Sequence, residues 1–349
     1  MKNAITIHDV SERAGVSLST VSRVLNDRST VNPQLRERVL QAVQELDYRP
    51  NLAARTLKTS RSRLIVFMVP EISNPYYTET YRGIHGIAEE QGYITLVYEA
   101  TDVREVLRTI MARGADGLII DAFYCSDCKG ELIDAGIPFV QTNAPVGRSS
   151  DKNTVRIDIF GATLKVIDYL RSMGHRKIGL IVSPVSREYP MDERERAFRA
   201  SAADHGIDRP ERFIVGAVAP QDKYRGGYEG MRELLARDVG VTAVIALNDL
   251  VAVGAIAGAE SMGRRVPADL SIVGFDNGAI APYTSPPLTT VNIPTIRQGE
   301  IAAKMLFEMM EEPQGVPHSV EVRTELIVRQ SVRRCGEQPK NLDSMPKGA

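Results

Sequence analysis

Residues 5–26, ITIHDVSERAGVSLSTVSRVLN, carry apolar side chains at Ile7, Val10 and Ala14, and again at Val21, Val24 and Leu25. That is the repeat of a helix with one buried stripe, broken once at Gly15. Thr6 and Asp9 stand three apart, as a capping box requires, and open a first helix. Gly15 supplies the positive φ of a tight turn. Ser17 is an N-cap for a second helix from about Leu18 to Asn26. Two short helices about such a turn form a helix-turn-helix. In that motif the second helix enters the major groove and its first turns reach base edges. A helical hairpin inside a larger helical domain has the same periodicity, so spacing alone leaves both readings open.

A third helix is predicted from Asn32 as N-cap and Pro33 at the first position. Its stripe is Leu35, Val39, Ala42, Val43 and Leu46. Three helices of this size make a marginal core, so residues 1–49 are expected to be a semi-independent unit. Charge supports a polyanionic partner. The chain of 349 residues has a net charge of -1, yet residues 1–63 hold eleven Lys/Arg against six Asp/Glu, which leaves the remainder acidic. A basic module on an acidic body is the footprint of a nucleic-acid binder.

From Leu64 the pattern changes. LIVFMV (64–69) is the fully apolar run of a strand buried in a parallel sheet. A helix from Asn74-Pro75, the strand 93–100, a helix to Arg113, the strand 117–121, a helix to Ala135 and the strand 138–142 follow. A second series begins with the helix Gly161–Ser172 and the strand 177–182. It continues through the strand 212–218, the helix Gly227–Arg237, the strand 242–247, the helix Leu250–Met262 and the strand 270–276. A last helix, Thr295–Glu311, and the strand 321–331 close the chain. Such alternation means an α/β fold with doubly wound parallel sheets in two lobes. In open sheets of this kind ligands sit at the carboxyl ends of the strands.

TIHDVSERAGVSLSTVSRVLN and VNPQLRERVLQAVQELDYRPN closely resemble the headpiece of the lactose-repressor (LacI) family of bacterial transcription regulators. The resemblance continues through ISNPYY (72–77), ADGLII (115–120), GHRKIGLI (174–181), ALNDLVAVG (246–254), VPADLSIVGFDN (266–277) and PPLTTVNIP (286–294). It implies a helix-turn-helix headpiece (1–49), a hinge helix or linker (50–62) and a periplasmic-binding-protein-like core (63–333). The core would divide into an N-lobe of about 63–159 and 292–322 and a C-lobe of about 160–291 and 323–333. Residues 334–349 would form a disordered tail. That tail lacks the leucine heptads of a tetramer, so a homodimer on double-stranded, near-palindromic operator DNA is expected. The function implied is a transcription regulator, a repressor, controlled by a small molecule bound between the lobes. Control by a partner protein is the alternative.

On the DNA side, Leu18 and Ser19 follow the cap of the recognition helix at the family's specificity positions. Arg23 can pair with guanine or contact phosphate. Thr6, Ser17, Thr20, Ser22 and Asn26 suit backbone contacts, with Asn51, Arg55 and Lys58 beside them in the hinge. LAARTLK (52–58) is too short to be helical alone. The family reading makes it a helix formed on the operator, with Leu57 as a wedge in the minor groove. A plain flexible linker is the alternative.

At the cleft, the resemblance implies effector contacts from Tyr76, Tyr77, Asp121, Phe123, Asn143, Arg194, Asn248 and Asp276. Arg194 is the clamp, and Asn143 stands where many relatives have an acidic residue. Asp276 has a helix N-cap as its alternative role. APQDKYRG (219–226) reads as a longer loop than relatives show. Such a set suits a sugar, sugar acid, polyol or nucleoside.

Other classes fit less well. No apolar run reaches the ~20 residues of a membrane span, the N-terminus has no signal-peptide pattern, and three cysteines fit a reducing cytoplasm. Cys125-Ser-Asp-Cys128 lacks a second ligand pair for zinc and reads as a loop at the pocket rim. No dinucleotide fingerprint, P-loop or nucleophile elbow is present, so neither an enzyme, a cofactor nor a metal is expected.

Overall fold

The computed structural model describes residues 5–25, 31–48, 61–99, 103–112, 114–121, 130–144, 153–182, 191–202, 204, 207, 209–217 and 222–336. The chain divides into two compact units, Met1–Ser62 and Arg63–Ala349. The hinge positions Asn51, Arg55, Leu57 and Lys58, together with Asn26, Phe123, Cys125 and Cys128, lie outside the described residues.

In the first unit α1 (Ile7–Ala14), α2 (Leu18–Leu25) and α3 (Pro33–Glu45) follow one another. Asp9 accepts from the backbone N–H and the hydroxyl of Thr6, at 2.7 and 2.8 Å, which starts α1. Gly15 ends it with φ +62°, where a side chain would be strained. Asn32 accepts from Gln34 N–H at 2.8 Å and starts α3. Val10, Ala14, Val21, Val24, Val39 and Ala42 form the buried centre. So small a core needs staples: Arg38 donates to the Ala14 carbonyl at 2.6 Å, and Arg13 pairs with Glu45.

In the second unit β1 (Leu64–Val69), α4 (Pro75–Glu90), β2 (Ile94–Glu99), α5 (Val103–Ala112), β3 (Gly117–Asp121), β4 (Phe139–Ala144) and β5 (Thr154–Ile157) build the N-lobe. Next come α6 (Ile159–Ser172), β6 (Ile178–Val182), α7 (Glu193–Ala202), β7 (Ile214–Gly216), α8 (Lys223–Ala236), β8 (Ala243–Ala246), α9 (Asp249–Ser261), β9 (Ser271–Asp276) and β10 (Thr289–Asn292). The last elements are α10 (Thr295–Glu311), β11 (Ser319–Val322) and β12 (Glu325–Ile327). The N-lobe sheet has the order β11-β5-β4-β3-β1-β2 and the C-lobe sheet β12-β10-β9-β8-β6-β7. Only β10 and β12, among the pairs described, run antiparallel. Ile65, Phe67, Met68 and Val69 are fully buried, as a central parallel strand covered on both faces must be.

Both lobes carry one very close helix crossing. A Cβ at Gly227 would meet the Val251 carbonyl at 2.0 Å, and one at Gly254 the Tyr224 carbonyl at 1.9 Å, so α8 and α9 touch backbone to backbone. Gly83 and Gly299 do the same for α4 and α10.

The structure corrects three expectations. EVRTELIVRQS (321–331) is not one strand: β11 and β12 belong to different sheets, and Arg323-Thr324 crosses between the lobes. An extended run shows its conformation but not its neighbours. Residues 223–226 are not loop, because Asp222 accepts from Arg225 N–H at 3.0 Å and starts α8 four residues early. Residues 334–336, assigned to the tail, continue along the core, where Cys335 N–H donates to the Met173 carbonyl at 2.8 Å. Chain passages at 157–159, 292–295 and 322–325 connect the lobes, so the cleft between them can open only about that side.

Candidate DNA-reading face and ligand cleft

In α2 the buried residues Val21 and Val24 fix which way the helix faces. A helix turns 100° per residue, so Ser19, Ser22 and Arg23 share the opposite side, with Leu18 at its edge. Leu18, Ser19 and Arg23 are exposed there. Ser17 caps the helix by accepting from Thr20 N–H at 3.2 Å, and its hydroxyl also bonds those of Ser19 (2.8 Å) and Thr20 (2.9 Å). Leu18 keeps 37% of its surface exposed, which leaves it open to an apolar group such as a thymine methyl. Arg13 and Arg38 are engaged inside the headpiece, so their charge serves its packing as well as its field.

The cleft gathers residues from the carboxyl ends of strands, where their side chains leave the sheet. Asp121 ends β3, Asn143 lies in β4, and Asp276 ends β9. Asn143 adopts φ +61° beside a register shift between Thr142 and Ala144, a bulge of the kind that re-aims a side chain. Its amide donates to Asp121 at 2.5 Å and accepts from Tyr76 OH and from Gln298 Nε2 (3.0 Å). Tyr76 OH also approaches Gln298 Oε1 at 2.5 Å. Tyr77 stands edge-on to Tyr76, with ring centroids 5.0 Å apart. The N-lobe wall is thus a connected polar network behind two aromatic rings.

From the C-lobe, Arg194 is 9% exposed, lies 4.4 Å over the Phe275 ring and bonds Asp192 through Nη1 at 3.2 and 3.4 Å. Its buried Nε has no hydrogen-bond partner among the described residues. Asn248 caps α9 by accepting from Val251 N–H at 2.9 Å, which leaves its amide nitrogen to point elsewhere. Asp276 is not a helix cap. It ends β9 with φ +98°, and burial raises its pKa to about 6, with Arg194 opposing the shift and Glu79 of the N-lobe adding to it. Burial, reinforced by Asp121 and by Asp276 across the cleft, holds the Tyr76 phenol well above its usual range. The structure therefore links Tyr76, Tyr77, Asp121 and Asn143 in the N-lobe, and Asp276 acts on both Tyr76 and Arg194, while Asn248 is seen only as the cap of α9.

Three participants were not singled out from sequence. Gln298 is fully buried and joins Tyr76 to Asn143; its signal was a polar residue inside the Thr295–Gly299–Ala302–Ala303–Leu306 stripe of α10. Glu79 accepts from Thr295 Oγ1 at 2.7 Å beside a lobe crossing. Asp249 accepts from Thr290 Oγ1 (2.6 Å) and Gly278 N–H (2.7 Å).

Burial, then the charge of Asp276, pushes the pKa of Asp249 up to about 8 from 3.8. A carboxyl whose folded pKa is raised stabilises the fold fully below its unfolded pKa and loses that contribution as pH rises to the folded value. Asp276 has lost its share by about pH 6. Between pH 6 and 8, thermal stability should fall, by up to about 1.4 kcal/mol per pH unit for one proton. Asp249→Asn should flatten that slope in a melting series over the same range; an unchanged slope would assign the proton elsewhere.

Among the described residues no group of three or more His, Cys, Asp or Glu could hold a metal ion. The profile of the bacterial regulatory proteins, lacI family, matches residues 6–51, and that of a periplasmic binding protein-like domain matches residues 167–332. The HTH-type transcriptional repressor PurR of Edwardsiella ictaluri is 32% identical over 337 residues, covering 94% of this chain and 96% of that protein. The HTH-type transcriptional regulator CelR of Thermobifida fusca is 31% identical over 93% of this chain and 98% of its own length. Among solved structures, a transcriptional regulator CelR–cellobiose complex superposes with a TM-score of 0.69 at 30% identity, covering 94% of this chain and 99% of that one. A lac repressor dimer bound to operator and an anti-inducer shares the fold, with a TM-score of 0.79 at 24% identity over 95% of this chain and 100% of its own.

Proposed function

The chain belongs to the lacI family of bacterial regulatory proteins, and from that premise we propose that it is a homodimeric, sequence-specific DNA-binding repressor controlled by a small metabolite. Each headpiece reads one half of a near-palindromic operator through Leu18, Ser19 and Arg23. The metabolite binds between the lobes, with Arg194 as its clamp, Asp276 and Asn248 on the same side, and the Tyr76–Asn143–Asp121 network opposite. It is a hydroxyl-rich compound such as a sugar, polyol or nucleoside, because hydroxyls match alternating carboxylate, amide and guanidinium groups. The observation that carries this reading is Arg194, whose buried Nε has no partner among the described residues although Asp192 holds Nη1 of the same guanidinium. A buried donor left unmade costs about 1–3 kcal/mol, which favours a ligand that completes it.

The mechanism is linkage. A ligand that binds one lobe arrangement better biases the chain toward it, and that arrangement sets how the two headpieces present themselves to DNA. Coupling of this kind is worth about 1–3 kcal/mol, or several-fold to a hundred-fold in operator affinity. No catalytic role is assigned, since relatives matching along the whole chain are transcriptional regulators. No helix among the described residues is long and apolar enough to cross a membrane, and action on the chromosome places the protein in the cytoplasm.

The basic headpiece gives a direct test. Counterion release makes the logarithm of affinity fall linearly with the logarithm of salt, with a slope of about -0.9 per phosphate neutralised. Anisotropy titrations of duplex DNA between about 50 and 200 mM salt should show a steep decline. A flat response would mean that this module does not bind DNA.

A further inference from the structure

Lys223 opens α8 in the C-lobe, and Glu71 lies between β1 and α4 in the N-lobe. Their side chains form an ion pair across the cleft, Nζ to Oε2 at 3.3 Å, with only 14% and 18% of their surfaces exposed. Both ends are held in place. Glu71 also accepts from Ser73 Oγ at 2.7 Å, and Lys223 directly follows Asp222, the cap of its helix. Glu71 follows β1 and Lys223 follows β7, on the side of each sheet opposite β5, β11, β10 and β12, beside which the chain crosses between the lobes.

Other charges push the opposite way. Asp276 of the C-lobe is destabilised as an anion by Glu79 of the N-lobe, and Asp276 and Asp121 both act on Tyr76. Closing the cleft brings these carboxylates together, which costs energy unless something offsets it. Mutual attraction in a partly dry site is stronger than at an open surface. We propose that the Lys223–Glu71 pair is a latch that holds the two lobes closed before any effector arrives. It sets the starting population on which the effector acts, and in that respect it rests on the reading of the cleft as the effector site. A chain closed in advance imposes a smaller conformational penalty on its ligand.

The test needs neither effector nor DNA, so its failure is distinguishable from failure of the regulatory reading. Spin labels at Arg108 on α5 and Lys165 on α6, in the full chain with its three cysteines changed to serine, report the distance between lobes by pulsed electron resonance. Wild type should give one dominant, short distance. Lys223→Gln and Glu71→Gln should each add a longer one, lowering the closed-to-open ratio about tenfold, the change that 1.4 kcal/mol produces. The double reversal Glu71→Lys with Lys223→Glu should restore the short distance, whereas either reversal alone should not. Superimposable distributions for wild type and both single variants would overturn the latch, as would a wild type already at the longer distance. Equal melting temperatures across the series would confirm that any shift reflects lobe position and not unfolding.

Discussion

Arg194→Ala should weaken effector binding at least tenfold while leaving the ligand-free protein folded and able to bind DNA. The guanidinium is fixed before any ligand arrives: Asp192 holds Nη1, and the Phe275 ring lies 4.4 Å beneath. Such preorganisation means that little rotamer freedom is lost on binding. Replacement by alanine removes a charged donor, worth about 1.5–3 kcal/mol in a buried hydrogen bond, and so at least a tenfold loss of affinity. It also leaves Asp276 without the cation that opposes its raised pKa, so that carboxyl holds its proton to higher pH. A thermal-shift screen of metabolites on wild type identifies the compound, and titration of Arg194→Ala gives the loss. Undiminished affinity in the variant would place the ligand elsewhere. A wild type that no metabolite stabilises would point instead to control by a protein partner.

Arg23→Ala should have the second large effect, and its form matters more than its size. If Arg23 pairs bidentately with guanine, its loss costs about 1–3 kcal/mol in each half-site and falls on the specific sequence alone. If it contacts phosphate, specific and non-specific binding weaken together and the salt slope drops by about one. Its exposed place on the face of α2 opposite Val21 and Val24 permits both contacts. The neighbouring Leu18 and Ser19 give the expected direction, because a leucine 37% exposed at the start of the helix is set to meet a base edge. The selectivity ratio should therefore fall about tenfold or more while non-specific affinity changes little. Parallel titrations of operator and random duplex separate the two cases.

Local signals carried most of the architecture. The Thr6/Asp9 pair, Asn32-Pro33 and Asn74-Pro75 each mark a helix start, and each does so in the structure. The fully apolar run 64–69 and the apolar stretch 117–120 read as covered strands, and both are. What stayed hidden depended on neighbours distant in sequence. The pairing of Lys223 with Glu71 joins residues in different lobes, and nothing near Lys223 announces it. The early start of α8 was hidden by Gly226-Gly227, which reads as a helix breaker until the close crossing with α9 supplies its reason. Gln298 was readable as a polar interruption of a stripe, yet only the fold shows that Tyr76 and Asn143 meet it there. The split of residues 321–331 between two sheets has no local signature at all.

The most direct measurement is selection of binding sites from a random duplex library by the full chain at physiological salt, followed by the affinity of the selected duplex against a scrambled one. The expected result is a single enriched sequence with near-palindromic half-sites, bound by two chains at least a thousandfold more tightly than the scramble, the lower range of specific protein–DNA discrimination. Adding the metabolite that stabilises the core should then shift that affinity several-fold or more, in one direction. Failure to enrich any sequence, or equal affinity for selected and scrambled DNA, would contradict sequence-specific regulation by this protein.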